Sequence, residues 1–254
     1  MYLRSRAGRR WRRIDQRDGP PAARMIRRNL ILIGGIFHDF QASAEALTTV
    51  LEPLGIESRV EPDLDAGVAS LAQQPVDLVT LNALRWPMMG EKYDPYRDTE
   101  AYSPPPATRA ALQRHVETGG ALLGLHTASI CFSDWPEWGA LLGGHWEWGT
   151  SWHPQPEPVS VTPNSQAMLA HLPAFHVQDE LYTDLRVSPG AQVLAHGQSP
   201  AMPKPQPVIW SHTVGRGRVI YDALGHDSTS LSDPAHAQWL RASVAWALGE
   251  ATSQ

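Results

Sequence analysis

The sequence has a single cysteine among its 254 residues and lacks any long apolar run. A lone Cys131 excludes an internal disulfide and a structural zinc site built from thiolates, and it favours a reducing compartment, the cytoplasm. Any metal would therefore be held by histidine and carboxylate side chains. No stretch approaches the ~20 consecutive apolar residues that a membrane-spanning helix needs, so we predict no membrane partner.

Nucleotide-binding motifs and a basic surface are missing as well. There is no P-loop, and no Gly-x-Gly-x-x-Gly pattern accompanies Gly34 and Gly35, so we predict no nucleotide cofactor. Residues 1–24 hold eight arginines against two aspartates, a formal charge of +6, which leaves −11 for the rest of a chain whose total is −5. An acidic remainder argues against a nucleic-acid partner.

The charge contrast also predicts how the chain is organised. We interpret residues 1–24 as a basic, disordered tail, with a nucleic-acid or targeting arm as the alternative. Residues 25–250 are expected to form one α/β domain, because their length suits a single domain with insertions.

The first half of the chain alternates apolar runs of strand length with segments of helical spacing. The predicted elements are a strand at 29–36, a helix at 44–54, a strand at 57–61, a helix at 68–73, a strand at 76–81, a helix at 107–118 and a strand at 121–125. Residues 85–106 are expected to be an irregular insertion. This order predicts an α/β fold with a doubly wound, mostly parallel sheet flanked by helices.

The second half is richer in tryptophan, histidine and proline. Its predicted elements are short strands at 158–162, 192–196, 208–212 and 218–221, a hairpin turn at 215–217 between the last two, and a final helix at 234–247. Asp233 is a suitable N-cap for that helix, since Pro234 follows it at the first helical position.

The stretch Gly124-Leu125-His126-Thr127-Ala128 ends the fourth predicted strand. It resembles a nucleophile elbow, in which small neighbours let the chain turn sharply and present one side chain. That side chain is His126, where amidotransferases and hydrolases have cysteine or serine, and imidazole is a poor acyl-enzyme nucleophile. We therefore predict no glutaminase activity. We interpret Cys131 as a small buried residue, with a thiol-dependent hydrolase as the alternative.

Several short motifs follow one another in an order that is specific as a set. They are Gly124–Ala128, Trp135–Trp138, Leu142–Gly144, His153-Pro154, Asp179–Tyr182, Trp210, Gly215–Val219 and Gly225–Asp227. In this order, from Asn29 to Gly249, they resemble the ThuA-like family, named for trehalose utilisation. The resemblance implies a flavodoxin-like fold of the class I glutamine amidotransferase-like superfamily with its nucleophile replaced. It also implies a role in trehalose or keto-sugar metabolism, with a divalent metal.

Three histidines follow predicted strands: His38 follows the first, His126 the fourth and His226 the last. Because the carboxyl ends of strands in an open α/β sheet meet at one crevice, we expect these side chains to line one pocket. We predict His126, Glu180 and His226 as acid–base groups. We also predict that His126, His153 and His226 hold a divalent metal, for which zinc is the best match.

The roles of Asp179 and Glu180 stay open from the sequence alone. Glu180 suits a metal ligand or a general base, and Asp179 suits a group that orients a neighbouring imidazole. Alternatively, the pair caps a turn or forms an ion pair with Arg216 or Arg218.

Aromatic residues cluster around these segments. Trp146, Trp148, Trp152 and Tyr182, together with His38, are predicted to bind substrate, because flat apolar rings suit the C–H faces of sugars. A subunit contact of a homo-oligomer is the alternative for the three tryptophans. Trp210 and Trp239 are expected in the core, and six histidines are interpreted as structural: His115, His171, His176, His196, His212 and His236.

Two classes of function remain open from the sequence. The first is an enzyme acting on a carbohydrate, a metal-assisted sugar lyase, isomerase or hydrolase. The second is a non-catalytic carbohydrate-binding or regulatory module, since a fold can persist after its chemistry is lost.

Overall fold

The computed structural model describes residues 26–250, so the predicted basic tail lies outside the described residues. The strands are β1 (Arg27–Gly35), β2 (Ile56–Glu61), β3 (Leu78–Leu84), β4 (Ala121–Leu125), β5 (Gly144–His145), β6 (Glu157–Pro163), β7 (Phe175–Asp179), β8 (Arg186–Val187), β9 (Gln192–Gln198), β10 (Gln206–Val214) and β11 (Gly217–Asp222). The helices are α1 (Phe40–Leu51), α2 (Leu64–Ser70), α3 (Asp94–Glu100), α4 (Pro106–Glu117), α5 (Pro136–Leu142), α6 (Ser228–Ser232) and α7 (Pro234–Ala247).

Nine strands form one mixed sheet in the order β2-β1-β3-β4-β11-β10-β9-β6-β7. The first five are parallel to one another, in the flavodoxin-like order, and the last four continue the sheet in antiparallel fashion. The predicted doubly wound sheet with flanking helices is therefore confirmed. The predicted hairpin is also present, because β10 and β11 pair across the turn at 215–216.

The core lies between the parallel strands and the helices that cover them. β3 and β4 are buried along their whole length, as expected for central strands of a parallel sheet. Trp210 and Trp239, both predicted in the core, are fully buried. No helix within residues 26–250 has the length and apolar character required to cross a bilayer.

The main departures from the predicted elements lie in connecting segments. The insertion at 85–106 is not wholly irregular, since it contains α3, which begins with a proline in its first turn and has no buried residues. β5, β7, β8, α5 and α6 were not predicted. α2 begins earlier than expected, because Asp63 accepts a hydrogen bond from the backbone N–H of Ala66 and caps it.

The parallel strands bring several connections to one edge of the sheet. β1 lies between β2 and β3, and the chain leaves β1 and β3 on either side of the point where the strand order reverses. The segments that follow β1, β4 and β11 all open at this carboxyl edge. Such edges are the common location of ligand sites in doubly wound folds.

Candidate functional site

The elbow at the end of β4 holds a strained backbone. His126 has a φ of +44°, in the left-handed region that residues with a side chain rarely adopt, and it begins a 3-10 helix that ends at Ser129. A Cβ atom at Gly124 would collide with the side chain of Leu142 and approach the Cβ of Ala128 to 3.3 Å. The small residues are therefore needed where the elbow motif has them, and the turn presents His126 at the carboxyl edge.

The orientation of the His126 ring follows from one hydrogen bond. Its Nδ1 donates to the carbonyl oxygen of Ala223 across 2.7 Å, which leaves Nε2 on the opposite side of the ring. Nε2 is buried without a hydrogen-bond partner and lies 3.6 Å from Oε2 of Glu180. The ring of Tyr182 packs against it with centroids 4.3 Å apart. The Nδ1 bond thus directs the Nε2 lone pair towards Glu180.

His38 and His226 complete the group around Glu180. The His38 ring lies 5.2 Å from that of His126 and 4.8 Å from that of His226, measured between centroids. Nδ1 of His226 lies 3.3 Å from Oε2 of Glu180, while Nε2 of His38 is buried and unpartnered. The three histidines therefore lie next to one another around Glu180, at one pocket as predicted.

Four side chains form a compact donor cluster: His38, His126, Glu180 and His226. One potential ligand atom from each lies within 4.8 Å of every other. Three imidazole nitrogens and one carboxylate oxygen make a donor set that suits a divalent transition metal, zinc included. We call these four residues the His/Glu cluster.

The His/Glu cluster differs from the predicted metal ligands in one position. His153 is not part of it, and His38, predicted to bind substrate, takes that place. Nδ1 of His153 lies 3.3 Å from Oε2 of Glu180 but also 3.0 Å from the carbonyl oxygen of Pro154. The loop after β5 therefore leaves the partly exposed His153 ring at the margin of the cluster.

The electrostatics of the cluster favour an anionic glutamate among imidazoles. Burial would raise the pKa of Glu180, but the imidazoles of His126 and His226 hold that pKa well below its ordinary value. The Glu180 carboxylate in turn raises the pKa of His226 above 6.5, against the opposing effect of burial. Burial and the two neighbouring imidazoles lower the pKa of His38 from 6.5 to about 3. His38 is therefore neutral at pH 7, the form that binds metals.

Asp179 and Glu180 do not make the alternative ion pair with arginine. Arg216 donates to the carbonyl oxygen of Thr118 and Arg218 to that of Trp246, both away from the cluster. Asp179 instead accepts hydrogen bonds from backbone N–H groups of Gly225 and His226. The carboxylate pair therefore belongs to the site.

A cleft of about 360 Å³ opens above the cluster. His38, His153, Glu180 and His226 reach it, whereas His126 is only 1% exposed and lies beneath them. Among the residues predicted to bind substrate, Trp146, Trp148 and Tyr182 line the cleft. Trp152 does not line it; its backbone pairs with Thr183, and the residue is 40% exposed.

Several residues that line the cleft were not among the predicted site residues, including Phe37, Trp86, Lys92 and Tyr93. Trp86, Lys92 and Tyr93 come from the insertion after β3, which therefore lines the same cleft as Trp146 and Trp148. The signal was available, since long aromatic insertions at a sheet edge are often functional.

Cys131 is removed from this chemistry by burial. Its thiol donates to the carbonyl oxygen of Ala83 and its sulfur accepts from the backbone N–H of Arg85. Burial raises the pKa of Cys131 to about 12, so the thiolate is scarce at neutral pH.

Fold and site together define a flavodoxin-like α/β protein with a cluster of histidines and a glutamate at the carboxyl edge of its parallel strands. The sequence model of the ThuA family, described as trehalose utilisation, matches residues 32–247. The chain belongs to the ThuA family. No curated protein matches it in sequence.

Solved structures agree with this assignment at the level of the fold. A ThuA-like protein from Parabacteroides merdae ATCC 43184 superposes with a TM-score of 0.70 at 19% identity, covering 90% of this chain and 92% of that one. Another from Bacteroides uniformis ATCC 8492 gives 0.65 at 20% identity, covering 90% and 95%. A cytoplasmic protein from Salmonella typhimurium LT2 gives 0.54 at 13% identity, covering 87% and 97%.

Proposed function

We propose that this protein is a cytoplasmic enzyme that acts on trehalose or a keto-sugar, with a divalent cation, zinc, held by the His/Glu cluster. One observation carries the proposal. Nε2 of His38, Nε2 of His126 and Nδ1 of His226 are buried and have no hydrogen-bond partner, and the four residues of the cluster each place a ligand atom within 4.8 Å of the others. Buried polar atoms without partners are rare in proteins, and a cation would satisfy all three at once.

The exposure of each residue in and beside the cluster indicates its role. His126 is too deeply buried to touch a substrate, which suits a ligand of the cation rather than a group that exchanges protons with the sugar. His38, Glu180 and His226 would complete the ligand set. A bound cation supplies Lewis acidity that polarises a carbonyl or hydroxyl oxygen. His153 reaches both the cleft and Glu180, so it can move a proton between the sugar and solvent.

The walls of the cleft support a carbohydrate ligand. Aromatic side chains line it, among them Trp86, Tyr93, Trp146 and Trp148, beside the polar groups of the His/Glu cluster. Aromatic faces pack on the C–H surfaces of a sugar ring while imidazole and carboxylate groups bind its hydroxyls. The family description as trehalose utilisation agrees with this ligand class. The elbow carries His126 and no cysteine or serine nucleophile, so acyl transfer is not part of the proposal.

Elemental analysis and zinc titration test the cation. We expect about one zinc per chain in the wild-type protein. Zinc supplied at 100 times its Kd should raise the free energy of unfolding by about 2.7 kcal/mol. Both effects should be lost in His126→Ala. His171→Ala is the matched control, because His171 is an exposed histidine outside the cluster. Wild-type protein that binds no zinc would remove the cation from the proposal.

Calorimetry and product analysis with trehalose and with a keto form of it test the enzyme. We expect binding and turnover in the zinc-loaded protein, with turnover lost in Glu180→Gln while binding to the aromatic walls is retained. Sugar binding without turnover, equal in wild type, His126→Ala and Glu180→Gln, would instead favour the non-catalytic carbohydrate-binding module.

A further inference from the structure

Asp179 is a fully buried carboxylate that faces no arginine or lysine within residues 26–250. Its Oδ2 accepts from the backbone N–H of Gly225 at 2.7 Å and from the hydroxyl of Ser230. Its Oδ1 accepts from the backbone N–H of Glu180 at 2.7 Å and of His226 at 3.3 Å. Four donors of the protein itself therefore hold this charge.

Two of those donors belong to members of the His/Glu cluster. Glu180 follows β7 and His226 follows β11, and these two strands are not neighbours in the sheet. The Asp179 carboxylate joins the backbones of these two residues through one side chain. The distance between the Glu180 carboxylate and the His226 ring depends on this link.

A third member of the cluster depends on the same segment of chain. The carbonyl oxygen of Ala223, which orients His126, lies two residues before Gly225. Asp222 binds the backbone N–H of Leu224 at 3.0 Å, so carboxylates hold this segment on both sides of its turn. Gly225 has a φ of +98°, a conformation that favours glycine. Before this turn, the backbone N–H of Ala223 donates to the carbonyl oxygen of Val208 at 2.7 Å.

We infer that Asp179 is a positioning residue that fixes Glu180, His226 and, through Ala223, His126 in the geometry of the His/Glu cluster. The inference rests on the proposed cation site. Asp179 would touch neither the substrate nor the cation, but it would keep three of the ligands in position. An amide at this position would present N–H groups to donors that need an acceptor, so the segment would shift.

Zinc affinity measured against a chromophoric chelator tests the inference. Asp179→Asn should raise the zinc Kd by about 10- to 100-fold, the usual effect of losing a group that orients ligands. Its cobalt-loaded form should show an altered absorption spectrum. Asp65→Asn is the matched control, because Asp65 also accepts several hydrogen bonds, in its case from the hydroxyls of Tyr102 and Thr108, but has no contact with the His/Glu cluster. That control should keep the wild-type Kd and spectrum.

A second readout uses metal-free protein and needs no zinc. The Nδ1 proton of His126 should exchange with solvent faster in Asp179→Asn than in wild type, because the turn that follows Ala223 loses its hydrogen bond from Gly225 to the carboxylate. If Asp179→Asn does not fold, Ser230→Ala removes one donor and should give smaller changes in the same direction. Unchanged exchange and an unchanged Kd in a folded variant would overturn the inference. Wild type that binds no zinc would overturn the proposed function, while the exchange measurement would still decide the role of Asp179.

Discussion

His126 donates from Nδ1 to the carbonyl oxygen of Ala223, 2.7 Å away and 97 residues later in the chain. The bond joins the turn after β4 to the turn after β11, and it leaves Nε2 facing Glu180. A second contact supports the same turn, since the Tyr221 hydroxyl lies 2.7 Å from the backbone carbonyl oxygen of His126 and donates to it. Neighbouring strands therefore hold His126 in a backbone conformation that its own residue type disfavours.

The strain at this turn gives the first prediction. A left-handed φ costs a residue with a Cβ about 1–2 kcal/mol relative to glycine. Since His126→Gly and His126→Ala both lose the imidazole, the glycine variant should be more stable than the alanine variant by about 1 kcal/mol. Free energies of unfolding in urea, measured on metal-free protein, make the comparison.

The neighbouring position supplies the control for this prediction. Thr127 does not have a positive φ, and its hydroxyl bonds to the carbonyl oxygen of Ala83. Thr127→Gly should therefore be less stable than Thr127→Ala, the usual order for these residues. Finding alanine the more stable replacement at both positions would mean that the His126 turn carries no strain.

The reactivity of Cys131 gives the second prediction. With its pKa raised by burial from 9.0 to about 12, the thiolate at a given pH is about 1000-fold scarcer than for an ordinary cysteine. Native protein should resist iodoacetamide at pH 8 and become alkylated once unfolded in urea, which mass spectrometry would follow. Rapid alkylation of the native protein with loss of sugar turnover would instead support the hypothesis of a thiol-dependent hydrolase.

Patterns of burial explain which parts of the fold could be predicted from the sequence. β4 was predicted with its observed bounds, because a fully apolar run follows Gly119-Gly120. α3 was missed, because a helix with no buried face has no apolar periodicity. β7 was missed although Phe175, Val177 and Asp179 alternate inwards, since its third inward residue is a carboxylate.

The candidate site divides in the same way. Convergence of His38, His126 and His226 could be predicted, because parallel strands deliver their carboxyl ends to one edge whatever their sequence separation. Glu180 arrives from the antiparallel part of the sheet, where no such rule applies, so its role stayed open. His153 and Trp152 lie in an irregular loop, whose course depends on tertiary contacts such as the pairing of Trp152 with Thr183.

The buried pair of His236 and Asp222 gives the last prediction. His236 was interpreted as structural, and both side chains are almost fully buried, with Nε2 of His236 at 3.1 Å from Oδ2 of Asp222. Nδ1 of His236 faces the carbonyl oxygen of Ser230 at 2.9 Å. Both ring nitrogens lie against acceptors, so in the protonated imidazolium form both N–H groups of His236 have hydrogen-bond partners. Burial opposes that charge, but Asp222 raises the pKa of His236 above 6.5.

Because the folded-state pKa lies above the unfolded value, the stabilisation from this pair is complete below pH 6.5 and declines as pH rises through the raised native pKa. Asp222→Asn should therefore destabilise the protein by about 3 kcal/mol at pH 6, the scale for breaking a buried pair, and by less at pH 9. Urea unfolding at several pH values measures this, and His236→Gln should remove the pH dependence of the difference. An Asp222→Asn effect that grows towards alkaline pH would mean that His236 is neutral in the native protein and that Asp222 serves only the backbone N–H of Leu224.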